Sequence, residues 1–463
     1  MRKLLLAATA MIGATAALAN VASAQVAPPA VVVVPPPSPA SALPSNSTLP
    51  GTVAVRLNAR VVTDFMVGND SGDGYKNAAG VSAKAQPYYF GEFARLYPGV
   101  DGVTANGIQY GAAMEIRQNS GGTGVNQATN NLPASPGNTL FFRREYGYVA
   151  TPQLGQLRFG QTDGAYTLFM VGNFENFDYE GGWDGDLPGL FSSATQISWN
   201  VPDISTWYTT SKLIYLSPNF GGFDFGVDWE PSSNQTSGDG ACSGTTGNNT
   251  IGLGCATVSS ISGPYATISG DLARRRNMMS FDGRYRGAFG PVGLVVQGGY
   301  ITSGHVSDAN STVDPVAYNG FGFVDGGVAV TFGGLAVGGH IDTGIKNGTG
   351  LLVKGGKHEL TYVTGFSYAF GAYQAGVQFS DSVFQGAWNG NAATGAKNTL
   401  GAEHDIGLSV GGNFNWAPGA TLYVDYLYGT RHQANRDFFA ATTGKFNNNT
   451  RAQGFIVGNK FQW

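Results

Sequence analysis

From residue 51 to the last residue the chain alternates apolar and polar side chains in segments of about ten residues. Ile108, Tyr110, Ala112, Met114 and Ile116 share one parity, while Gln109, Gly111, Ala113, Glu115 and Arg117 share the other. Ile406, Leu408, Val410, Phe414 and Trp416 alternate with Asp405, Gly407, Ser409, Asn413 and Asn415. Leu422, Val424, Tyr426 and Tyr428 oppose Asp425, Gly429 and Arg431. A period of two predicts strands, because successive side chains of an extended chain point to opposite faces. Such segments fall near 53–66, 88–98, 108–117, 140–150, 156–161, 211–217, 223–230, 277–289, 292–302, 320–332, 335–343, 358–370, 373–381, 404–416, 421–431 and 452–463.

The gaps alternate as well. Tight turns are predicted at 151–155, 217–221, 289–291 and 416–419, with long Gly-, Asn- and Ser-rich stretches such as 118–138 and 231–271 between them. An even count near 16, with short turns at one end and long loops at the other, predicts an all-β transmembrane antiparallel β-barrel with short periplasmic turns and long extracellular loops. A solenoid needs a fixed short repeat, which is absent. A sandwich keeps its outer faces wet, whereas here many strands carry a wide apolar face ending in Tyr, Trp or Phe, the residues that favour a membrane–water interface.

Composition narrows the picture. The 463 residues include 70 glycines, only 12% are charged, and mean hydropathy is -0.08. That hydropathy excludes a bundle of membrane helices, each of which needs about 20 consecutive apolar residues. A net charge of -4, with Arg274-Arg275-Arg276 as the one basic cluster of note, argues against nucleic acid as a partner.

The amino-terminal residues predict export. Met1-Arg2-Lys3 is a basic start, residues 4–18 are apolar and too short to cross a bilayer, and Ala22-Ser23-Ala24 is a cleavage site. Residues 1–24 are thus expected to be a signal peptide of a Gram-negative bacterium, directing the chain to the outer membrane. Residues 25–50 are Pro-, Ala- and Val-rich and predict an extended periplasmic linker that builds no core. Contact with the cell wall is a sharper reading of the same segment. Cys242 and Cys255, in a Gly/Ser/Thr-rich stretch of an oxidising compartment, are expected to form a disulfide.

The segment 163–210 carries Asp163, Glu175, Asp178, Glu180, Asp184, Asp186 and Asp203 and no Lys, Arg or His. An acidic run is commonly a solvated face, but carboxylates held opposite basic side chains in a pore make a transverse field that sorts solutes by charge. Arg56, Arg60, Arg117 and Arg158 have the parity of the polar face, as do Arg284 and Arg286. A charge facing lipid at mid-bilayer costs roughly 2–4 kcal/mol, so the lumen is their expected place. Arg144 has the opposite parity to Arg143, which predicts a place at the rim or a register shift.

Two patches and the carboxyl end carry a resemblance. The turn Tyr215-Leu216-Ser217-Pro218-Asn219-Phe220-Gly221-Gly222-Phe223 and the strand Phe93-Ala94-Arg95-Leu96 with a turn at Pro98-Gly99 resemble the general Gram-negative porins. Phe455, Val457, Phe461 and Trp463 on one face resemble the terminal strand of such barrels, although Asn459 breaks the pattern and the usual last residue is Phe. The resemblance implies a homotrimer of 16-stranded barrels, the segment near 163–210 folded into each lumen as a constriction, and constriction arginines at Arg95 and Arg143. Leu216 stands where many members carry a further base, which weakens the basic side. The expectation is a passive diffusion channel for small hydrophilic solutes and ions with a mild cation preference, its acids being Glu175, Asp178, Glu180, Asp184 and Asp186. A substrate-specific channel and a structural or adhesive barrel are the alternatives.

Catalytic chemistry is thin. HExxH and Walker A patterns are missing from the sequence, and no cofactor or metal is implied. His404-Asp405 is an adjacent acid–histidine pair and has no evident Ser partner. His305, His340, His358, His404 and His432 read as lone polar or rim residues. Residues 69–74 (Asn69-Asp70-Ser71-Gly72-Asp73-Gly74) lack the spacing of an EF-hand and read as a plain loop.

Overall fold

The computed structural model describes residues 50–120, 138–174, 182–185, 187–201, 210–232, 276–304, 318–348, 350–390 and 395–463. Sixteen strands close into one antiparallel barrel. They are β1 (Val53–Asp70), β2 (Tyr88–Val103), β3 (Gln109–Ser120), β4 (Asn138–Thr151), β5 (Gly155–Thr162) and β6 (Thr210–Leu216). Then follow β7 (Phe223–Ser232), β8 (Arg276–Phe289), β9 (Val292–Thr302), β10 (Gly322–Phe332) and β11 (Leu335–Ile345). The wall is completed by β12 (Glu359–Phe370), β13 (Tyr373–Phe384), β14 (Glu403–Ala417), β15 (Ala420–Gln433) and β16 (Asn449–Gln462). Each strand pairs with its sequence neighbours, and β1 pairs with β16 from Arg60 opposite Gln462 to Asp70 opposite Ala452. Closure leaves no edge along the paired wall, the condition for strands in lipid. The alternating pattern located all sixteen, with boundaries a few residues short at several extracellular ends.

The side chains invert the usual order of a soluble protein. Phe90, Leu140 and Phe332 on the outside are 69%, 69% and 57% exposed, while Glu115, Asp282, Asp342 and Glu403 inside are at most 1% exposed. Lipid is the solvent for the first group, and the polar lumen holds the second. At the periplasmic end Tyr368, Phe370, Tyr373 and Phe414 form a run of stacked rings with centroids 5.9, 5.4 and 4.5 Å apart, and Trp416 meets Phe461 edge-on at 6.1 Å. This is the aromatic girdle of an interface.

Two local features matter for the lumen. In the turn from β6 to β7 the Ser217 hydroxyl accepts the Phe225 amide at 2.8 Å, and Gly221 and Gly222 have φ of +64° and +98°. A Cβ on Gly222 would stand 2.3 Å from the Arg286 carbonyl oxygen, so the close return of the chain requires glycine there. In β4 a bulge intervenes: Glu115 pairs with Arg144 and Ile116 with Phe142, leaving Arg143 as the extra residue. Strict alternation therefore fails at this point, and Arg143 and Arg144 both turn into the lumen.

Candidate functional site: the lumen and the loop folded into it

The segment between β5 and β6 does not stand above the barrel. Its described residues enter the lumen and follow the inner wall. First comes the short helix α1 (Ala165–Phe169), buried against β7, β8 and β9. Its first amide, Ala165 N–H, donates to Asp228 Oδ2 at 2.5 Å. Val171 then lies on β10 and β11: a Cβ on Gly327 would meet its carbonyl oxygen at 2.0 Å, and one on Gly172 (φ +94°) would meet the Gly339 carbonyl oxygen at 2.0 Å. Glycine on both sides is what lets two backbones approach this closely.

Further along, wall side chains grip the loop backbone one after another. Gln378 accepts from Phe174 N–H, and Asp425 accepts from Gly182 N–H. Asp70 accepts from Ser192 N–H at 2.6 Å and from the Thr195 hydroxyl at 2.7 Å, and Asp405 accepts from Ser198 N–H at 2.7 Å. Basic and hydroxyl groups hold the carbonyls. Arg431 Nη1 donates to Ser193 O at 3.0 Å, Thr450 to Ala194 O at 3.0 Å, and Lys346 Nζ to Asn200 O at 2.7 Å. His340 Nδ1 lies 3.0 Å from Val171 O, and its Nε2 is 3.1 Å from Asp342. A loop laid inside a barrel has many backbone groups to satisfy away from bulk water, and charged wall residues supply the partners. Lys346, beyond the end of β11, shows the local balance: burial pushes its ammonium pKa down, but Asp342 and Glu359 more than offset that, and it ends above the ordinary value.

An apolar cluster cements the arrangement. Trp183, Phe191, Ile197, Trp199 and Val201 from the loop pack on Val62 and Met66 of β1, Val363 of β12, Tyr423 and Leu427 of β15, and Ile456 of β16. This wall therefore carries apolar side chains on its inner face, which the alternation rule assigns to polar residues.

Across the lumen, β1 to β5 present arginines. Arg56 pairs with Asp101, Nη2 to Oδ1 at 3.1 Å, and Asp101 also accepts from the Tyr148 hydroxyl. Arg95 lies over the Phe93 ring at 4.3 Å and Arg60 over the same ring at 5.4 Å, while Arg158 faces Tyr146 at 5.0 Å and Gln156 at 2.8 Å. The densest knot surrounds Glu115. Arg117 Nε is 2.5 Å and Arg143 Nη1 3.3 Å from its carboxylate, and Arg144 pairs with it too. Asp163, at the mouth of the loop, meets Arg144 at 2.5 Å and Arg143 at 3.6 Å.

All six expected pore arginines, Arg56, Arg60, Arg95, Arg117, Arg143 and Arg158, thus point inward on one arc of the wall, and the bulge adds Arg144. Of the expected acids, Asp184 is described and half-buried beside Trp183. Glu175, Asp178, Glu180 and Asp186 lie outside the described residues, as do Cys242, Cys255 and the segments 1–24 and 25–49. His404 and Asp405 are on opposite faces: His404 turns outward to Asp381 at 2.9 Å, and Asp405 turns inward to the loop. The alternation also missed Lys212, which is buried on β6 and paired with Glu230 at 2.9 Å, and gave no role to His340, Lys346, Asp405 or Asp425. Their inward parity was readable, but their partners lie far along the chain.

A family model for the Gram-negative porins matches residues 7–445. The chain belongs to the Gram-negative porin family. It is accordingly an outer-membrane β-barrel, and family and fold point to a channel. No curated protein matches this porin. Among solved structures it is similar to a loop-deletion form of OmpT of Vibrio cholerae (11% identity, 89% of this chain and 99% of that chain, TM-score 0.49). It is also similar to an anion-selective porin from Comamonas acidovorans (14%, 89% and 100%, 0.48) and to OmpF of Salmonella typhi in complex with daunomycin (13%, 88% and 97%, 0.49).

Proposed function

We propose that this porin is a passive diffusion channel for small hydrophilic solutes and ions, with a mild cation preference. The observation that carries the reading is the loop laid against one arc of the inner wall while the arginines line the other. A path between the two is bounded by charge on the arginine side. Seven arginines on β1 to β5 face Asp64, Asp101, Glu115 and Asp163, all among the described residues. The loop adds Glu175, Asp178, Glu180, Asp184, Asp186 and Asp203 and no base. With those acids counted, the lining has more negative than positive charge, and a narrow polar pore then favours cations.

Assembly as a homotrimer is part of the same proposal. Glu92, Thr63 and Asn459 occupy one register row on the outer face of β2, β1 and β16. Charged and polar side chains on the outer face are costly against lipid and cheaper against protein, which supports a second copy as the cover for this face.

Single-channel recording in a planar bilayer under a KCl gradient tests the function. Conductance steps in triplets with a cation-side reversal potential are expected. An anion-side reversal would keep the channel and discard the charge argument. A folded, heat-modifiable barrel without conductance would favour a structural barrel, for which the apolar cluster inside the lumen is the specific support.

A further inference from the structure

The first strand outruns one of its neighbours at the periplasmic end. On one side β1 pairs with β2 from Val53 opposite Gly102 upward. On the other side its bonding to β16 begins only at Ala59, which exchanges two backbone hydrogen bonds with Trp463 at 3.0 and 3.1 Å. Among the described residues, 53–58 thus have a partner strand on one side alone. Backbone groups of an antiparallel strand point alternately to its two neighbours. Ala59 points to the β16 side, so Val53, Val55 and Leu57 direct their N–H and C=O groups to the open side. Ala54, Arg56 and Asn58 direct theirs to β2.

An open strand edge is ordinarily guarded by a charge, a proline or a bulge. This edge has none of them. Its register with β2 is unbroken from Val53 to Val67. Its one charged residue, Arg56, turns inward to Asp101 at 3.1 Å. Val53, Val55 and Leu57 are 54%, 78% and 63% exposed. A bare apolar edge of this kind accepts a further strand.

The turn before β1 indicates which strand. Gly51 follows Pro50 and has φ of +84°, the left-handed conformation that glycine supplies in a turn. The Gly51 amide is tied back to Val103 O at 2.7 Å, at the foot of β2. The chain therefore reverses just ahead of β1. Since β2 fills one side of β1, the residues before the turn have the open side to return along. We propose that residues 44–48 add a short antiparallel strand to the open edge of β1, joined to it by the four-residue loop 49–52. Thr48 then pairs with Val53, Asn46 with Val55 and Pro44 with Leu57. Pro44 offers its carbonyl to the Leu57 amide and, lacking an N–H, ends the strand below Trp463. The added strand lies in line with β16 and completes the seam at which the barrel closes. It also fastens the Pro-rich segment to the wall instead of leaving it free to hang across the periplasmic mouth.

A second copy does not serve this edge. The row that a copy covers, at Thr63, lies farther up β1 and looks out of the wall, whereas the open groups of Val53, Val55 and Leu57 lie within its plane. The edge is also separate from the lumen, so the inference is independent of the channel reading.

Hydrogen–deuterium exchange of the detergent-solubilised full chain, resolved to single amides, tests it. Val53, Val55 and Leu57 should exchange slowly. Deletion of residues 25–48 should speed their exchange about tenfold, the order expected for loss of a backbone hydrogen bond. Asn46→Pro/Thr48→Pro, which keeps the length but removes the two amides facing β1, should do the same at Val53 and Val55. Ala54, Arg56 and Asn58, bonded to β2, should stay protected in every form, which separates loss of the added strand from unfolding. Fast exchange of Val53, Val55 and Leu57 in the full chain would overturn the proposal. So would slow exchange that survives either variant, and its disappearance on dissociation of the oligomer would then make a second copy the cover.

Discussion

The two arcs of the barrel wall handle charge in opposite ways. From β7 round to β16 three inward acids are taken up by the loop: Asp228, Asp405 and Asp425 each accept one of its backbone amides. Their charge is spent on holding structure. From β1 to β5 the contacts of the inward arginines are of another kind, and Arg143 and Arg144 reach the loop through the Asp163 carboxylate. They meet carboxylates, rings and each other. Buried charge thus serves as mortar on one side and as pore lining on the other. An inventory of luminal charge that ignores this division misjudges the field a solute meets.

The sharpest way to break the comparison is at Glu115, where three guanidiniums share one carboxylate with side-chain exposure of only 2%. Glu115→Gln keeps the shape and removes the counter-charge, leaving Arg117, Arg143 and Arg144 with Asp163 as their remaining described acid. Removing one partner of a buried ion pair costs about 3–5 kcal/mol. The expected result is a lower temperature for the folded-to-unfolded shift on a gel, together with a reversal potential moved toward anions. An unchanged reversal potential would show that these arginines do not border the solute path.

On the other arc the corresponding test is Trp183→Ala. The indole is 5% exposed and fits over two glycines: a Cβ on Gly429 would meet it at 2.5 Å and one on Gly407 at 3.0 Å. Truncating a buried aromatic costs about 3–5 kcal/mol, and less where the space refills with water. Backbone staples at Asp405 and Asp425 remain, so the barrel should survive while the loop loosens. Larger and noisier conductance steps are expected. Steps identical to the unaltered protein would mean that the apolar cluster does not set the width of the path.

How much of this was legible in the sequence follows from the range of each interaction. Strand positions and inward arginines depend on local alternation, and the period of two gave them directly. For Arg144 the parity left two readings, the rim or a register shift, and the structure has the shift: a bulge adds one residue to β4, and nothing in Phe142-Arg143-Arg144-Glu145 marks where it goes. The staples were invisible for a different reason. Asp405 and Ser198, or Lys346 and Asn200, are brought together only by closure of the barrel, so each reads alone as one more polar inward residue. The inner apolar patch of Val62, Leu427 and Ile456 sits at positions the alternation assigns to water. It is explained only once the loop's Trp183, Phe191 and Ile197 are seen to cover it.

The smallest expected effect bears on the acids of the loop itself. In the proposed channel Glu175, Asp178 and Glu180 supply negative charge that sets the sign of the field. Replacing all three by their amides removes charge without removing volume, and it leaves the staples at Asp70, Asp405 and Asp425 in place. Stability and step size should therefore stay near those of the unaltered protein. Only the reversal potential under a KCl gradient should move, away from the cation side, because the arginines of the path then no longer face an excess of acids. A reversal potential that stays put would place these three carboxylates away from the path and leave Asp184 and Asp186 as the acids to test. If the step size changes as well, Glu175, Asp178 and Glu180 hold the loop in place, and the division of labour between the two arcs extends into the loop.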